Sequence, residues 1–487
     1  METIEEILST ADIDEKISLL KQRKTPLPDA VQLLKDWDAG RHDVMSKEKR
    51  PDMKVIKREG VKDIDGKYTT LPEYEFESVN RIPLPLEQDI TNIHTSFTVG
   101  IEPKLNCEPN NDAEDELFKV ILAINKKNKI KYHNKAVVRS WLSEQEVAEY
   151  WYVKKDTVFW AKILAKIKNA IGRSDAQYKL RRAIWSPLRG DTLYPYFDET
   201  GDLTAFSRGY KVKQTDGTET EYFMTITAEN VYTWKLDKSW VIDNVFKHGF
   251  GKIPVIYAYR SETLCSKIKP IRERLETLLS NFADAIDRCF FPYLILEGEI
   301  EGAPQKVGKN RMIKIENEGK AYYLDWTQTP EMIRLEIDGL TERAYNLTNT
   351  PRLSIENLKG TGIGPSGTAF KYTFMGAHLA VENHAEVIGE YLQRRYNFLI
   401  DAIAKINTAY SKAAGTIDIE PEIVPFMIDN LTEKIENAVK AVDGGVASRK
   451  TGILLAGIVD EVNDELELIE KEQSGAEERK LYPVGRE

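Results

Sequence analysis

The chain has 487 residues, 41% apolar and 30% charged, enough for one large domain or two to three ordinary ones around hydrophobic cores. A formal net charge of -10 excludes a protein that grips nucleic acid over its whole surface, but not a conduit along which DNA slides without being held. No stretch approaches the roughly 20 apolar residues that span a bilayer, and the acidic, polar start does not read as a secretory signal, so a soluble chain of cytosolic origin with no membrane partner is expected.

The first residues, to about 60, read as helix, turn, helix and a charged linker. Leu27-Pro28-Asp29 opens a helix carrying Val31, Leu33, Leu34 and Trp37, with Gly40 as its stop. The run Lys47 to Arg58 contains Pro51 and reads as a solvated, mobile arm. Residues 61 to 150 are expected to be mostly helical after a short extended start. One helix runs through Ile90, Ile93, His94 and Phe97 to Gly100. A second starts at Asn111-Asp112 with Leu117, Val120, Ile121 and Ile124 on its apolar side, and a third spans about Asn134 to Tyr150.

From 150 to 260 the pattern changes to aromatic and β-branched residues alternating with polar ones, with turns at Asp198-Glu199-Thr200-Gly201 and Thr215-Asp216-Gly217. Glu221 to Thr227, Asn230 to Trp234 and Val255 to Tyr259 read as strands of an antiparallel sheet. Residues 261 to 290 predict a long amphipathic helix, with Leu264, Ile268, Ile271, Leu275, Leu278, Phe282, Ile286 and Cys289 on one face and Pro270 as a kink or its true start. Strand-like segments follow to 328, at Tyr293 to Leu296, Arg311 to Ile315 and Ala321 to Leu324. Thr329-Pro330-Glu331 then opens a helix with Ile333, Ile337, Leu340, Ala344 and Leu347. The Gly/Pro/Ser-rich stretch 349 to 367 predicts a loop, and Thr368 to about Tyr410 a helix roughly 60 Å long at about 1.5 Å per residue. Residues 416 to 428 read as extended and 430 to 471 as two or three short helices.

Candidate chemistry is sparse. Gly362-Ile363-Gly364-Pro365-Ser366-Gly367 fits a dinucleotide-binding G-x-G-x-x-G, but a helix precedes it where a strand is needed, and no acid-ended strand follows. Gly362 and Gly367 also have phosphate-loop spacing, yet Thr368 stands where that loop needs lysine, so these are read as flexible-loop glycines. None of the histidines, His42, His94, His133, His248, His378 and His384, forms an i, i+4 pair, and no serine-hydrolase elbow is present. The three cysteines, Cys107, Cys265 and Cys289, read as reduced thiols, the last two on one helix and too far apart to bridge. The acidic clusters Asp460-Glu461 and Asp464-Glu465 read as a solvated helix face. No catalytic residue, metal ligand or cofactor is expected. Basic residues that could touch DNA are Arg352 and Lys359 in the loop, and Lys306, Lys309, Arg311, Lys314 and Lys320 before it, with plain surface solubility as the alternative for each.

The order of elements, and short local motifs within it, resembles the portal proteins of tailed phages, in the branch of long-tailed phages of Gram-positive hosts. Gly249-Phe250-Gly251-Lys252-Ile253-Pro254-Val255 looks like the family's entry to its stem, and Leu278-Leu279-Ser280-Asn281-Phe282-Ala283-Asp284-Ala285 like its first stem helix. Thr350-Pro351 with Ser366-Gly367-Thr368-Ala369-Phe370-Lys371-Tyr372 looks like the tunnel loop and the helix after it, and Asp460 to Glu472 like the C-terminal signature. The resemblance covers roughly 80 to 472 and leaves 1 to 60 unplaced.

It implies an α+β portal fold: an N-terminal arm (1–60), the first part of the wing (61–260), a stem helix (261–290), a β-containing clip (291–329), a second stem helix (330–348), a tunnel loop (349–367), the long wing helix with its return strand (368–428), and a helical crown with the C-terminal tail (429–487). It further implies a non-enzymatic ring, dodecameric in the family, at one vertex of the virion's capsid and assembled in the host cytoplasm. That ring is the conduit for DNA packaging and ejection. The implied partners are double-stranded DNA, the large terminase subunit, head-completion or adaptor proteins, and the major capsid and scaffolding proteins. Arg352, Lys359, Gly360, Gly362 and Gly364 would then sit at the DNA channel. Lys306, Lys309, Arg311, Lys314 and Lys320 would sit where motor and adaptor dock. Two other readings stay open: another helical structural or scaffold protein of a virion, and a nucleotide-binding enzyme.

Overall fold

The computed structural model describes residues 3–62, 68–155, 178–215, 217–289, 294–300, 305–307, 310–312, 315–323, 329–352, 367–426, 431–459, 462 and 465–472. The chain divides into two compact units, Met1–Thr350 with Leu379–Pro425, and Pro351–His378 with Phe426–Glu487.

The first unit opens with α1 (Ile4–Ser9), α2 (Ile13–Leu20) and α3 (Ala30–Trp37). Each is capped by the residue before it: Thr3 in a reciprocal box with Glu6, Asp12 on Asp14 and Glu15, and Asp29 on Val31 and Gln32. Strands β1 (Met53–Arg58), β2 (Val61–Lys62), β3 (Tyr68–Thr70) and β4 (Glu73–Glu77) follow. The expected arm is a paired strand, β1 running antiparallel to β4 with Arg58 opposite Glu73, while most of both strands is exposed as a solvated segment would be. Lys54 lies over the Tyr74 ring, 3.7 Å from its centroid. The charges that suggested a solvated arm are the cross-strand partners of an acidic, aromatic strand.

Helices α4 (Leu86–Val99), α5 (Asp112–Asn128) and α6 (Ile130–Glu144) enclose the short strand β5 (Lys104–Asn106) between the first two. The Asn111 cap accepts from Glu114, as the sequence suggests. The third helix starts and ends earlier than expected. Gln145 has φ +69, which terminates α6, and Glu146 to Tyr150 belong to β6 (Glu146–Lys155). β6 is central in a three-stranded antiparallel sheet between β13 (Val255–Tyr259) and β7 (Tyr178–Trp185). A five-stranded antiparallel meander fills the interval: β8 (Thr192–Phe197), β9 (Leu203–Lys213), β10 (Glu219–Ile226), β11 (Asn230–Leu236) and β12 (Trp240–Lys247).

The long amphipathic helix α7 spans Lys269–Cys289, so Pro270 marks its start and not a kink. Cys265 therefore precedes the helix instead of sharing it with Cys289. Strands β14 (Leu294–Ile300), β15 (Gln305–Val307), β16 (Asn310–Met312) and β17 (Ile315–Tyr323) come next, β14 pairing with β17 and β15 with β16. The returning helix α8 is Thr329–Leu347, and α9, Gly367–Ile406, is the longest helix. A 3-10 turn at Thr408–Tyr410, α10 (Ser411–Ala414) and β18 (Glu420–Glu422), which pairs with β5, end this unit.

Four apolar clusters organise its described residues, the fourth lying between α4, α7 and α8. The main core joins α5, α6, β6, β7 and the C-terminal part of α9 through Ile121, Val137, Trp151, Leu392 and Leu399. A second packs the two sheets together through Trp185, Phe206 and Tyr257. In the third, Ile7, Ile17 and Leu20 of α1 and α2 cover Phe223 and Trp234 of the meander, which places the start of the chain as a lid on that sheet.

In the second unit α11 (Leu431–Asp443) and α12 (Arg449–Ala456) form a helical hairpin. The turn uses Gly445 at φ +70. Gly452 packs so close to Val442 that a Cβ there would come within 2.4 Å of its side chain. Among the described residues no helix is long and apolar enough to cross a membrane.

Candidate functional site

The hairpin of α7 and α8 is two-sided. Its inner side is apolar: Ile271 and Leu275 of α7 meet Ile337, Leu340 and Ala344 of α8, with Ile90 and Ile268 beneath. Arg274 closes the seam by donating to Glu336 Oε1 from Nε and Nη2, at 3.0 and 2.8 Å.

A ladder of hydrogen bonds holds the other flank of α7. The Leu84 N–H donates to Glu276 Oε1 at 2.8 Å, Ile82 N–H to Ser280 Oγ at 3.0 Å, and Asn80 N–H to Asp284 Oδ1 at 2.6 Å. Asn80 Nδ2 adds Asp287 at 2.6 Å. The two spacings match, because two extended residues advance about 6.6 Å and four helical residues about 6.0 Å. Pro83 and Pro85 have no N–H, so Ile82 and Leu84 are the donors this stretch has to offer. Segment 80–84 thus runs antiparallel to α7 as a brace.

Residues from the start of the chain lock the brace. Arg50 donates to Asp284 Oδ2 at 2.5 Å, to Asn281 Oδ1 at 2.8 Å and to the Asn80 carbonyl at 2.8 Å. His42 Nδ1 lies 2.5 Å from Glu276 Oε1. Buried Arg272 donates to Glu87 Oε1 at 2.6 Å and to Asp36 Oδ1 at 3.4 Å. Burial works against a charged His42 ring, but the Glu276 hydrogen bond and charge prevail and raise its pKa above the usual value. Burial also raises Glu87, although Arg272 opposes it. The set is buried but not fully satisfied, since Arg272 Nε and Glu87 Oε2 have no hydrogen-bond partner, so it constrains the placement of α7 without adding much net stability.

The outer face of α8 lacks such cover. Met332 is 73% and Leu335 75% exposed, and Leu347 is exposed as well. Apolar groups one helical turn apart on an open face mark a contact surface more often than a solvated one.

Of the basic residues singled out from sequence, Arg352 is exposed just past the end of α8. Lys359, Gly360, Gly362 and Gly364 lie outside the described residues, as do the rest of the G-x-G-x-x-G stretch up to Ser366 and residues Lys309 and Lys314. The backbone sets Lys306 of β15 directly opposite Arg311 of β16, and Lys320 of β17 opposite Glu297 of β14. Sequence reasoning missed the brace altogether: Arg50, Asn80, Ile82, Leu84, Arg272, Glu276, Ser280 and Asp284. Its available signal was the proline alternation at 83 and 85 facing acceptors four apart on a helix. Among the described residues no three histidine, cysteine or acidic side chains group as metal ligands.

The chain matches the family described as "Phage portal protein, SPP1 Gp6-like" over residues 29–479. It belongs to that family of phage portal proteins, whose role is structural and not enzymatic. Among solved structures it resembles a chain of "Neck of empty GTA particle computed with C6 symmetry", at 11% identity, 77% of this chain, 90% of that chain and TM-score 0.42. It also resembles a chain of "Virion of native gene transfer agent (GTA) particle", at 10% identity, 91% of this chain, 98% of that chain and TM-score 0.38. A comparison with curated protein sequences finds no match.

Proposed function

We propose that this portal protein is the repeating subunit of a closed ring, twelve copies in the family pattern, at one capsid vertex of a phage virion, and that DNA is packaged and ejected through it. Beyond family membership, the observation that carries the reading is the two-sided α7–α8 hairpin. One flank is braced by the protein's own chain, and the other presents Met332 and Leu335 to a neighbour. Contacts between unlike faces of identical copies close into rings when the rotation permits.

In this reading α7 and α8 are the stem, 291–329 is the clip that receives the large terminase subunit and later the adaptor proteins, and 349–367 is the tunnel loop. Residues 61–260 and 368–428 form the wing, and 429–487 the crown and tail. Residues 1–60, left unplaced by the resemblance, act as the lid and brace of the wing and stem. Arg352 and Lys359 face the lumen, with Gly360, Gly362 and Gly364 giving the loop the freedom to yield as DNA passes. A net charge of -10 keeps phosphates from sticking, while a few cations follow the backbone without reading sequence. Lys306, Lys309, Arg311, Lys314 and Lys320 form the basic side of the clip. Capsid and scaffolding proteins meet the ring from outside.

A photo-cross-linking residue placed at 352 or 359 tests the lumen assignment. Cross-links to packaged DNA are expected, and failure at both sites beside positive controls elsewhere in the tunnel would remove it. Replacing 291–329 by a short turn is expected to spare ring assembly and abolish packaging. Packaging that survives would overturn the clip assignment.

A further inference from the structure

We propose that the cleft beside the α5–α6 turn is a docking site for an acidic peptide segment of a partner protein, seated by one apolar anchor residue. The cleft has a volume of about 610 Å³, and its lining includes Lys126, Lys129, Lys131 and Tyr132. Its floor is apolar, with Leu105, Phe118, Leu122 and Ile130.

Three observations converge on that ligand. Residues 125 to 135 hold five lysines and no acid, in a chain of net charge -10. Lys126, Lys129 and Lys131 are exposed and make no ion pair among the described residues. The dipole at the C-terminus of α5 accounts for Lys126 and favours Lys129, its C-cap, but Lys131 stands in the first turn of α6, where positive charge is unfavourable. The placement of Lys131 therefore gains nothing from the helix dipoles. Second, Leu122 is 43% and Tyr132 68% exposed, so apolar surface waits beside the cations.

Third, Asn125 lines the cleft at only 6% exposure. Its Nδ2 donates to the Tyr396 hydroxyl at 3.1 Å, while its Oδ1 has no partner. A buried acceptor left open costs about 1–3 kcal/mol in general, and a peptide N–H satisfies it only if the cleft lining shifts to expose the oxygen. Glu102 also lines the cleft and disfavours an acidic group of the ligand beside it. A DNA duplex would engage the lysines with its convex phosphate surface but leave both the floor and Asn125 unused.

The test uses the full-length protein and a fluorescein-labelled peptide bearing one leucine among glutamates, read by anisotropy. A second peptide has serine for that leucine, and a short DNA duplex is the third probe. The leucine peptide is expected to bind in a salt-sensitive way, at least roughly ten-fold tighter than the serine peptide. The K126E/K129E/K131E variant is expected to lose roughly ten-fold or more. Circular dichroism melting checks the variants, and Lys129→Gln serves if the triple reversal fails to fold. The site is overturned by absence of peptide binding, by equal affinity for the two peptides, by a folded variant of unchanged affinity, or by a duplex that binds more tightly through the same lysines. Each outcome is independent of ring formation, so it separates this site from the portal reading.

Discussion

The backbone N–H of Leu84 donates to the carboxylate of Glu276 at 2.8 Å, and through that bond an extended segment with no ladder of its own is pinned to α7. The same Glu276 oxygen faces His42 Nδ1, so three stretches of chain far apart in sequence meet at one carboxylate. Truncating that carboxylate strands two donors at once. Glu276→Ala is expected to destabilise by about 3 kcal/mol, and Glu276→Gln, which keeps an acceptor, by about 1–2 kcal/mol. Denaturant melts of the two variants check the order. Equal losses would show that the brace does not depend on the acceptor.

The second prediction concerns Glu149, fully buried under Arg395. Arg395 reaches it at 2.6 and 3.0 Å, His133 at 2.7 Å and the Tyr391 hydroxyl at 2.8 Å. Burial alone would raise the carboxyl pKa, but the charges of Arg395 and His133 and the hydrogen bonds hold it well below the usual range. A depressed carboxyl contributes stability that is present above its unfolded value, roughly 4.3, and lost as pH falls through the folded one. Glu149→Gln should therefore flatten the acid limb of a stability-versus-pH curve. At neutral pH it should cost about 3–5 kcal/mol by leaving Arg395 buried without its counterion. An unchanged acid limb would contradict the assignment.

A further pH effect arises where the rings of His94 of α4 and His384 of α9 lie 5.3 Å apart, tilted by 59°, with the Trp141 ring edge-on to His384. Burial pushes His94 down to about 4 and His384 to about 3, and the Arg260 charge adds to both. The unfolded chain then takes up protons first. Stability is full above the unfolded value near 6.5 and erodes as pH falls through about 4 and then about 3. Calorimetry of His94→Gln and His384→Gln is expected to show a smaller loss of Tm between roughly pH 6.5 and 4 than the parent. Parallel curves would rule the pair out as the source.

Met332→Asp with Leu335→Asp addresses the open face of α8. Both side chains are mostly solvent-exposed, so the isolated subunit should change by no more than about 0.5 kcal/mol. Self-association, followed by sedimentation velocity, should weaken strongly. Undiminished assembly would place the subunit contact elsewhere.

How far the sequence speaks for this fold follows from the range of the interactions. Local signals were legible: Asp29 and Asn111 cap their helices, Pro270 opens α7, and the alternation of 221–234 does form paired strands. The end of α6 was not, because Gln145 adopts a left-handed φ without glycine to announce it. Val147, Ala148 and Trp151, spaced around Glu149, suit the buried side of a helix or of a strand equally. β1 read as an arm because its partner β4 is fixed by pairing across intervening chain. The brace has no periodicity of its own and becomes visible only when 80–84 is set beside the acceptors of α7. The lysine-rich turn at 126–135 was visible as residues, but the apolar cleft beside it exists only once α5 and α6 fold back on each other.

The central claim is that α7 and α8 line a pore shared by identical copies, and negative-stain electron microscopy of the purified full-length protein tests it most directly. Closed rings with a central channel are the expected result. Uniform monomers with no ring at any concentration, or assemblies in which α8 is sealed inside each copy, would contradict it.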